Sequence, residues 1–449
     1  MKRIALVLVA ALGLATANAE EIWQAGAGRV NITPDKFMWM AGYGGRDTPA
    51  DGKTTDLWAK ALLLDDGDGN QGVVISLDLV GIDRETTAKV CERLKDKFGF
   101  ERRQIAICTS HTHSGPVVGK NLGPLHYLVV DAEQQKLIDD YARKLIDYIE
   151  TAVGEAIEKL EPARIEWGNG LATFAVNRRE NPSASVPDLR AKGELKGPVD
   201  HDVPVLSVRT EAGELRAVLF GYACHATTVG FNQWNGDYPG YAQIELEKAH
   251  PDCVALFWAG CGADQNPLPR RTVNYAEKYG AELAQAVEDV LAAPMHPLKP
   301  ELSPQYREID VKLQQLPDAA ALAEKAKSTN RFEVARAKLL QRQMEERGAI
   351  DGVYPYPIGV WKIGGEIDFI HLGGEVVVDY AVRLKRELRG EQTWVAGYAN
   401  DVMAYIPSLR VLKEGGYEGG GSNMYYGLPG LWDESSEEAI IEATHELAK

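Results

Sequence analysis

Cysteine is scarce in this sequence, and its scarcity excludes a disulfide-stabilised scaffold. Five cysteines are spread over 449 residues, and no two of them form a C-x-x-C pair. A structural zinc site built from paired cysteines is therefore not expected. Cys224 and Cys261 lie inside two motifs described below, so they either pair with each other or stay buried as free thiols. Because the number is odd, at least one thiol has no disulfide partner.

The sequence also lacks an excess of positive charge and a long second hydrophobic run. The formal net charge is −16, and an acidic surface of this kind repels phosphate backbones, so nucleic acid is not an expected partner. No basic amphipathic segment indicates docking on anionic lipid. The apolar run Ile4–Leu14 is too short to cross a bilayer, so no transmembrane anchor is predicted.

The amino terminus has the three parts of a secretory signal peptide. Lys2 and Arg3 precede the apolar run, and Ala17-Asn18-Ala19 follows it as an A-x-A cleavage site. We predict a signal peptide over residues 1–19, cleavage after Ala19, and a secreted or periplasmic protein. An amino-terminal helix of the core is the alternative interpretation. No cysteine follows the cleavage site, so a lipid anchor is not expected.

Apolar strand-like runs alternate with amphipathic segments along the rest of the chain. Val73–Leu77 and Ala217–Tyr222 are typical of buried strands, and Arg84–Phe98 has helical spacing. This alternation predicts an α/β fold, a layered sandwich with a mixed central β-sheet flanked by helices. Residues 318–347 are rich in Ala, Glu, Lys, Arg and Gln, which predicts a solvent-facing helix or helical hairpin outside the core. Without a clear linker, residues 20–449 are expected to form a single domain.

Histidines follow two of the predicted strands. The strand Ile105–Cys108 leads into Thr-Ser-His111-Thr-His113-Ser-Gly-Pro, and another apolar run ends in Cys-His225-Ala-Thr-Thr. Alternate residues of an extended segment point to one side, so His111 and His113 share a face. Sites in α/β proteins form at strand ends. Either histidine segment alone is more typical of hydrogen-bonded structural histidines, but together they favour a metal site.

Three further segments bring polar or aromatic groups. The glycine turn within Trp258–Pro267 carries Asp264 and Gln265; its backbone can approach a ligand closely, although an ordinary strand-to-helix turn is the alternative. Glu375 follows two glycines at a predicted helix start. Its carboxylate there either stabilises the positive end of the helix dipole or completes the set of zinc ligands. Tyr405 and Tyr417 lie in aromatic and glycine-rich segments that can cover a substrate, with core packing as the alternative.

Taken in order, these segments resemble the neutral (alkaline, non-lysosomal) ceramidase family. The blocks that carry the resemblance are Gly26-Ala-Gly-Arg-Val-Asn-Ile-Thr-Pro34, Met40-Ala-Gly-Tyr43, Ser110-His-Thr-His-Ser-Gly-Pro116, Val176-Asn-Arg178, Asp237-Tyr-Pro-Gly240, Gly374-Glu375, Tyr398-Ala-Asn400 and Tyr417-Glu-Gly. The resemblance implies a ceramidase-type catalytic α/β domain with one zinc ion. It implies that the zinc ligands are His111, His225, Glu375 and Tyr405. It also implies that His113, Arg178 and Tyr417 face the substrate carbonyl and its polar head.

The resemblance implies an amidohydrolase in which zinc activates a water molecule against an N-acyl bond and polarises the carbonyl. In this scheme His113 passes a proton to the leaving amine, and Arg178 or Tyr417 stabilises the oxyanion. Asp237 is expected to accept a hydrogen bond from a ligand imidazole. The expected substrate is a small-molecule or lipid-like N-acyl compound, whereas the oligomeric state is not predicted.

The sequence departs from the family pattern in two places. Ceramidases have a serine in a Gly-Asp-Val-Ser-Pro-Asn-like stretch, where this chain has Gly262-Ala-Asp264-Gln265-Asn266-Pro267. Asp264 and Gln265 are therefore candidate active-site residues. Ceramidases also continue into a carboxy-terminal β-sandwich domain, whereas this sequence ends at Lys449, so long-chain lipids are less expected as substrates. Two alternatives stay open: a hydrolase of an ester or a carbohydrate-derived amide at the same site, and a homologue that binds metal or ligand without turnover.

Overall fold

The computed structural model describes residues 22–449, so the predicted signal peptide lies outside the described part of the chain. The strands are β1 Trp23–Asn31, β2 Gly52–Lys53, β3 Trp58–Asp65, β4 Gln71–Leu77, β5 Ile105–Thr109, β6 Glu161–Leu171, β7 Ala175–Asn177, β8 Asp202–Thr210, β9 Leu215–Tyr222, β10 Gln233–Trp234, β11 Val254–Ala259, β12 Gln265–Pro267, β13 His296–Pro297, β14 Leu302–Gln314, β15 Val353–Ile363, β16 Ile367–Leu372, β17 Glu375–Val376, β18 Thr393–Ala396, β19 Tyr405–Ile406 and β20 Leu431–Trp432. The helices are α1 Arg84–Phe98, α2 Ala132–Glu158, α3 Val186–Lys192, α4 Asp237–Ala249, α5 Val273–Ala292, α6 Ala319–Lys325, α7 Arg331–Arg347, α8 Val378–Glu387, α9 Leu409–Glu414, α10 Asn423–Tyr426 and α11 Ser436–Leu447.

Two β-sheets form the centre of the fold. The larger sheet has the order β11-β9-β8-β6-β1-β3-β4-β5, and β13 pairs with β6. Its end pairs, β11 with β9 and β4 with β5, are parallel, and the strands between them are antiparallel. The smaller sheet has the order β18-β16-β15-β14-β20. The sheets are therefore mixed.

Side-chain alternation along the strands assigns each sheet face to a separate core. In β3, Leu62 and Leu64 pack with residues of the second sheet such as Phe369, whereas Ala61 and Leu63 pack with residues of α1 and α2. Helices α4 and α5 cover the other end of the larger sheet, and α8 and α11 cover the outer face of the smaller one. Because successive strand residues point to opposite faces, each sheet is apolar on both sides. The result is a helix–sheet–sheet–helix sandwich.

The larger sheet is curled, so that its two end regions approach each other. The Ser76 hydroxyl of β4 donates a hydrogen bond to the Phe257 carbonyl of β11 at 2.5 Å. The segment between β18 and β19 lies in the remaining gap, where isolated bridges pair Cys108 with Ala399 and Gly260 with Ala396. The carboxyl ends of β5, β9 and β11 are therefore brought into one region, although these strands are distant in the sequence.

The structure confirms the predicted α/β sandwich with a mixed sheet and flanking helices, and it adds a second sheet that the sequence did not predict. Residues 318–347 contain α6 and α7, the expected helical hairpin, although Leu340 of α7 is fully buried. All five cysteines are buried and free, so Cys224 and Cys261 do not form a disulfide. Among residues 22–449, no helix has the length and apolarity needed to cross a membrane.

Candidate metal centre

His111 and His113 lie on the turn that follows β5. The backbone of His111 has φ +57°, a left-handed conformation that is uncommon outside glycine and is found at functional sites. Its Nδ1 donates a hydrogen bond to the Val80 carbonyl over 2.6 Å. Because a neutral imidazole carries one N–H, this contact leaves the lone pair on Nε2 of His111, the atom that faces the site.

His225 follows β9, and its Nδ1 makes the same kind of contact with a main-chain carbonyl. The two atoms are 2.8 Å apart and Nδ1 donates to the Gly262 carbonyl, so the lone pair of the neutral ring is on Nε2. The backbone N–H of His225 also donates to the Gln265 carbonyl at 3.0 Å. The glycine turn after β11 therefore holds the histidine, and its small residues allow this close approach: a Cβ at Gly262 would lie 2.5 Å from the Cys224 nitrogen.

Glu375 completes the cluster from the second half of the chain. It lies in β17, which pairs with β19 so that Glu375 is opposite Tyr405. Its Oε2 is 3.2 Å from Nε2 of His111 and 3.2 Å from Nε2 of His225. Its Oε1 accepts a hydrogen bond from the Tyr426 hydroxyl. The side chain is almost fully buried, and Oε2 has no hydrogen-bond donor within the described residues.

These atoms form a set that fits one divalent cation. Nε2 of His113 lies 3.1 Å from Nε2 of His111, and ligand atoms of His111, His113 and His225 all lie within 4.8 Å of one another. Imidazole nitrogens and a carboxylate oxygen are accepted ligands of zinc. A buried carboxylate oxygen that faces lone pairs needs a positive charge between them. The residues present therefore fit a bound divalent metal ion.

Tyr405 and Arg178 border the cluster. The Tyr405 hydroxyl is 3.1 Å from Nε2 of His225, and Arg178 donates to the same hydroxyl at 3.2 Å. Arg178 also approaches Nε2 of His225 at 3.3 Å and forms an ion pair with Glu418 at 2.7 Å. The carboxylate of Glu418 fixes the guanidinium at the edge of the site, where it can meet a developing negative charge.

Burial sets the protonation of the ionisable groups here. It lowers the pKa of His225 to about 4, assisted by Arg178, and lowers the pKa of His113 well below its ordinary value, assisted by His111 and His225. Burial and the charge of Glu375 raise the pKa of the Tyr405 phenol. Burial acts to raise the pKa of Glu375, but its interactions with the facing imidazoles of His111 and His225 hold that pKa well below its usual range. The pocket therefore accommodates one positive charge, which a proton or a metal ion supplies.

A cavity of about 250 Å³ opens onto the cluster. Its lining residues are Gly42, Tyr43, Gly44, His113, Leu125, Arg178, His225, Thr227, Arg270, Arg271, Tyr405, Tyr417 and Tyr425. Tyr417 is 46% exposed and its ring centroid lies 5.2 Å from that of Tyr405. Nδ1 of His113 is buried and has no hydrogen-bond partner within residues 22–449. The cavity thus gives access to the cluster from the surface and is lined mainly by aromatic and basic side chains.

Two residues predicted for the active site lie outside this cavity. The carboxylate of Asp264 accepts hydrogen bonds from the Val378 backbone at 2.9 Å and from the Asn177 amide at 3.1 Å. The Gln265 amide donates to the Ala223 carbonyl at 2.5 Å and accepts from the Asp200 backbone at 3.2 Å. Both side chains are fully buried and use their polar groups to hold the turn. Direct roles of Asp264 and Gln265 in chemistry stay predictions.

The expected hydrogen bond from a ligand imidazole to Asp237 is wrong. The carboxylate of Asp237 accepts from the backbone nitrogens of Val229 at 3.0 Å and Tyr238 at 2.7 Å. The imidazoles of His111 and His225, the predicted ligands, donate instead to the main-chain carbonyls of Val80 and Gly262. A carbonyl at the end of a neighbouring loop can replace a carboxylate in this role, and no local sequence pattern distinguishes the two.

Four residues beside the cluster or in the cavity lining were not predicted from the sequence: Glu418, Tyr426, Arg270 and Arg271. Glu418 directly follows Tyr417 in the sequence, and the glycine-rich segment there was the only indication that Glu418 lies at the site. Tyr426 carried no signal, because its contact with Glu375 depends on how α10 packs. Arg270 and Arg271 follow the glycine turn directly, and a pair of adjacent arginines in an acidic chain is a signal that points to this cavity.

Comparisons with known proteins agree with this architecture. The model of the family described as neutral/alkaline non-lysosomal ceramidase, N-terminal, matches residues 23–260. Neutral ceramidase 1 of Arabidopsis thaliana is 29% identical over 260 residues, which are 57% of this chain and 33% of that protein. Neutral ceramidase of Drosophila melanogaster is 26% identical over 239 residues, 51% of this chain and 32% of the other. The chain thus matches about a third of the length of these curated relatives.

Solved structures share the fold at low sequence identity. The crystal structure of neutral ceramidase from Pseudomonas aeruginosa aligns with a TM-score of 0.75 and 20% identity, over 96% of this chain and 74% of that chain. A structure described as ceramidase complexed with C2 aligns with a TM-score of 0.72 and 19% identity, over 96% of this chain and 75% of the other. At these identities the alignments establish the fold alone.

Proposed function

The chain belongs to the neutral/alkaline non-lysosomal ceramidase family, and from this premise we propose that it is a zinc-dependent hydrolase that cleaves the amide bond of an N-acyl substrate. One observation carries the proposal. Oε2 of Glu375, buried and without a hydrogen-bond donor among the described residues, lies 3.2 Å from Nε2 of both His111 and His225. Such an arrangement is stable when a cation lies between the carboxylate and the imidazoles.

His111, His225 and Glu375 are the residues that would hold zinc, with Tyr405 as a further ligand. A zinc ion bound there would polarise the substrate carbonyl and lower the pKa of a water molecule. The imidazoles are prepared for binding because their Nδ1 atoms are already occupied by the carbonyls of Val80 and Gly262. The Tyr426 hydroxyl fixes Oε1 of Glu375 and directs Oε2 toward the histidines.

His113, Arg178 and Tyr417 would act on the substrate from the cavity. The imidazole of His113 lines the cavity and lies beside His111, so it is placed to pass a proton to the leaving amine. Arg178 has a fixed guanidinium, held by Glu418 at 2.7 Å, that can stabilise negative charge on the carbonyl oxygen. Tyr417 is the exposed aromatic at the rim and would contact the polar part of the substrate.

The structural roles of Asp264 and Gln265 are consistent with this proposal. The amide of Gln265 holds the turn, and the absence of a serine at this position removes a hydroxyl without removing any of the proposed ligands. We further propose that residues 20–449 act as a single domain and that the signal peptide directs the protein out of the cytoplasm. An ester or a carbohydrate-derived amide at the same site is the alternative substrate.

The proposal is tested by metal analysis and a substrate panel. The purified protein is expected to contain about one zinc ion per chain, to hydrolyse chromogenic N-acyl amides, and to lose this activity on chelation and regain it with zinc. The panel includes matched esters and an N-acetylated sugar. Hydrolysis of esters or N-acetylated sugars alone would replace the amide assignment. Tight ligand binding by a zinc-loaded protein that hydrolyses none of the panel would establish the alternative without turnover.

A further inference from the structure

The cavity beside the cluster of His111, His225 and Glu375 has a surplus of positive charge. Arg178, Arg270 and Arg271 line it, and none of its lining residues is an aspartate or a glutamate. Glu418 neutralises Arg178. Within the part of the chain that the structure describes, Arg270 and Arg271 have no carboxylate within 4.0 Å, although acidic residues outnumber basic ones by 65 to 49 in the sequence. Two guanidiniums that have no carboxylate partner and line the same cavity indicate an anionic ligand.

Arg270 is held next to the histidine–glutamate cluster. One of its guanidinium nitrogens donates to the Thr227 hydroxyl at 2.7 Å, and Thr227 lies two residues after His225. The side chain is half-buried. Burial and the nearby charge of Arg271 lower the pKa of Arg270, so a bound anion would relieve an unfavourable interaction.

Arg271 is held on the other side of the cavity. Its guanidinium carbon lies 4.5 Å from the ring centroid of Tyr43, whose ring is 4.8 Å from that of His113. The Tyr43 hydroxyl donates to the Val229 carbonyl at 2.7 Å, which fixes the ring against which Arg271 stacks. Arg271 has φ +90°, an unfavourable conformation for a side chain of this size. Such strain is retained where the surrounding structure imposes it, often at ligand sites.

We infer that the substrate carries an oxyanion within a few bonds of the scissile amide, and that Arg270 and Arg271 bind it; an N-acylated amino acid has this chemistry. The inference rests on the proposed hydrolase function and specifies its substrate class. The guanidinium fork matches the two oxygens of a carboxylate and also those of a phosphate. The small cavity, with its tyrosines and arginines, suits such a compact polar group better than a long alkyl chain.

Matched substrates test the inference. N-butanoylglycine carries a carboxylate, N-butanoyl phosphoethanolamine a phosphate, and N-butanoylethanolamine is the neutral counterpart. We expect the wild-type kcat/KM to be at least about tenfold higher for one of the anionic substrates than for the neutral one, mainly through KM. The two anionic substrates distinguish a carboxylate site from a phosphate site.

Arginine variants assign the preference to these residues. Arg270→Ala and Arg271→Ala should each lower the ratio of anionic to neutral kcat/KM by about tenfold, because each removes a charge-assisted contact. Arg271→Lys should restore part of the ratio, and Arg271→Glu should invert it. Arg216→Ala is the control, since Arg216 pairs with Glu161 and Glu214 at a different surface. Arg271 is exposed, so its variants test the inference even where Arg270→Ala does not fold.

Failure of this inference differs from failure of the proposed function. Amide hydrolysis with no anionic preference, unchanged in the arginine variants, would overturn the inference and leave the hydrolase assignment standing. If no amide is hydrolysed, the inference is tested by measuring the Kd of compounds that resist hydrolysis. N-(butylsulfonyl)glycine should bind more tightly than its neutral 2-hydroxyethyl analogue. Arg271→Glu should abolish this difference in affinity. Equal binding of the two sulfonamides would overturn the inference.

Discussion

Oε2 of Glu375 lies 3.2 Å from Nε2 of His111, and neither atom has a proton to offer when the imidazole is neutral. The reason is that His111 donates its Nδ1 proton to the Val80 carbonyl. Two lone pairs at this distance, both almost fully buried, are compatible only with a positive charge between them. The contact between Glu375 and His111 therefore locates the cation more narrowly than the three histidines do by themselves.

Loss of a direct ligand should remove the metal. We expect His111→Ala and His225→Ala to reduce bound zinc and amide hydrolysis by more than the ~10–100-fold that follows removal of an outer partner of a ligand. Metal content is measured by mass spectrometry on purified protein. His296→Ala is the control, because it deletes an exposed imidazole outside the cluster. Zinc retained at the wild-type level in both ligand variants would contradict the proposed centre.

Tyr426 should tune the metal site without being a ligand. Its hydroxyl donates to Oε1 of Glu375, so Tyr426→Phe leaves the carboxylate free to rotate. We expect zinc affinity to fall by ~10–100-fold, measured by competition with a chelator. Tyr141→Phe provides the comparison, because it removes a buried hydroxyl that donates to the Ile32 carbonyl at 2.7 Å. Equal zinc affinity of the two variants would exclude this role.

Gly42 should be needed for the position of His113. A Cβ at Gly42 would lie 2.4 Å from Cγ of His113, and its φ of +101° disfavours other residues. Gly42→Ala should therefore displace the imidazole, lower kcat, and lower the free energy of unfolding by about 1–3 kcal/mol. Gly45→Ala is a close control, because a Cβ there would meet no atom within 4 Å. Indistinguishable kcat values for the two variants would refute the steric argument.

His126 should make stability depend on pH. Its buried Nε2 accepts a hydrogen bond from the Gly42 nitrogen at 3.0 Å, and burial lowers its pKa from 6.5 to about 3. The folded state thus binds this proton less well than the unfolded state. The stabilisation is complete above about pH 6.5 and is lost as the pH falls toward 3, by about 1.4 kcal/mol per pH unit.

The variant His126→Gln isolates this contribution. Urea unfolding of wild type and variant is compared between pH 7 and pH 4. The free-energy difference in favour of wild type should shrink by about 3 kcal/mol as the pH falls over this interval. Other buried groups titrate equally in both proteins and cancel. A difference that does not change with pH would show that His126 does not stay neutral in the folded state.

The sequence alone determined the features that depend on neighbouring residues. Helical spacing predicted Arg84–Phe98 as a helix, and a continuous apolar run predicted Val73–Leu77 as a buried strand; the structure has both. The strand-end positions of His111, His113 and His225 followed from the same patterns. These predictions succeed because backbone periodicity and the alternation of side chains are local properties of the chain.

Only the tertiary structure decided which distant groups meet. The second sheet, the contact of Tyr426 with Glu375 and the arginines that face the cavity depend on the curl of the larger sheet and on the packing of segments that follow it. Local patterns do not encode such contacts, because they arise from the shapes of buried faces fitted together over long sequence distances. For the same reason the sequence suggested Asp237 as the partner of an imidazole, whereas main-chain carbonyls have that role.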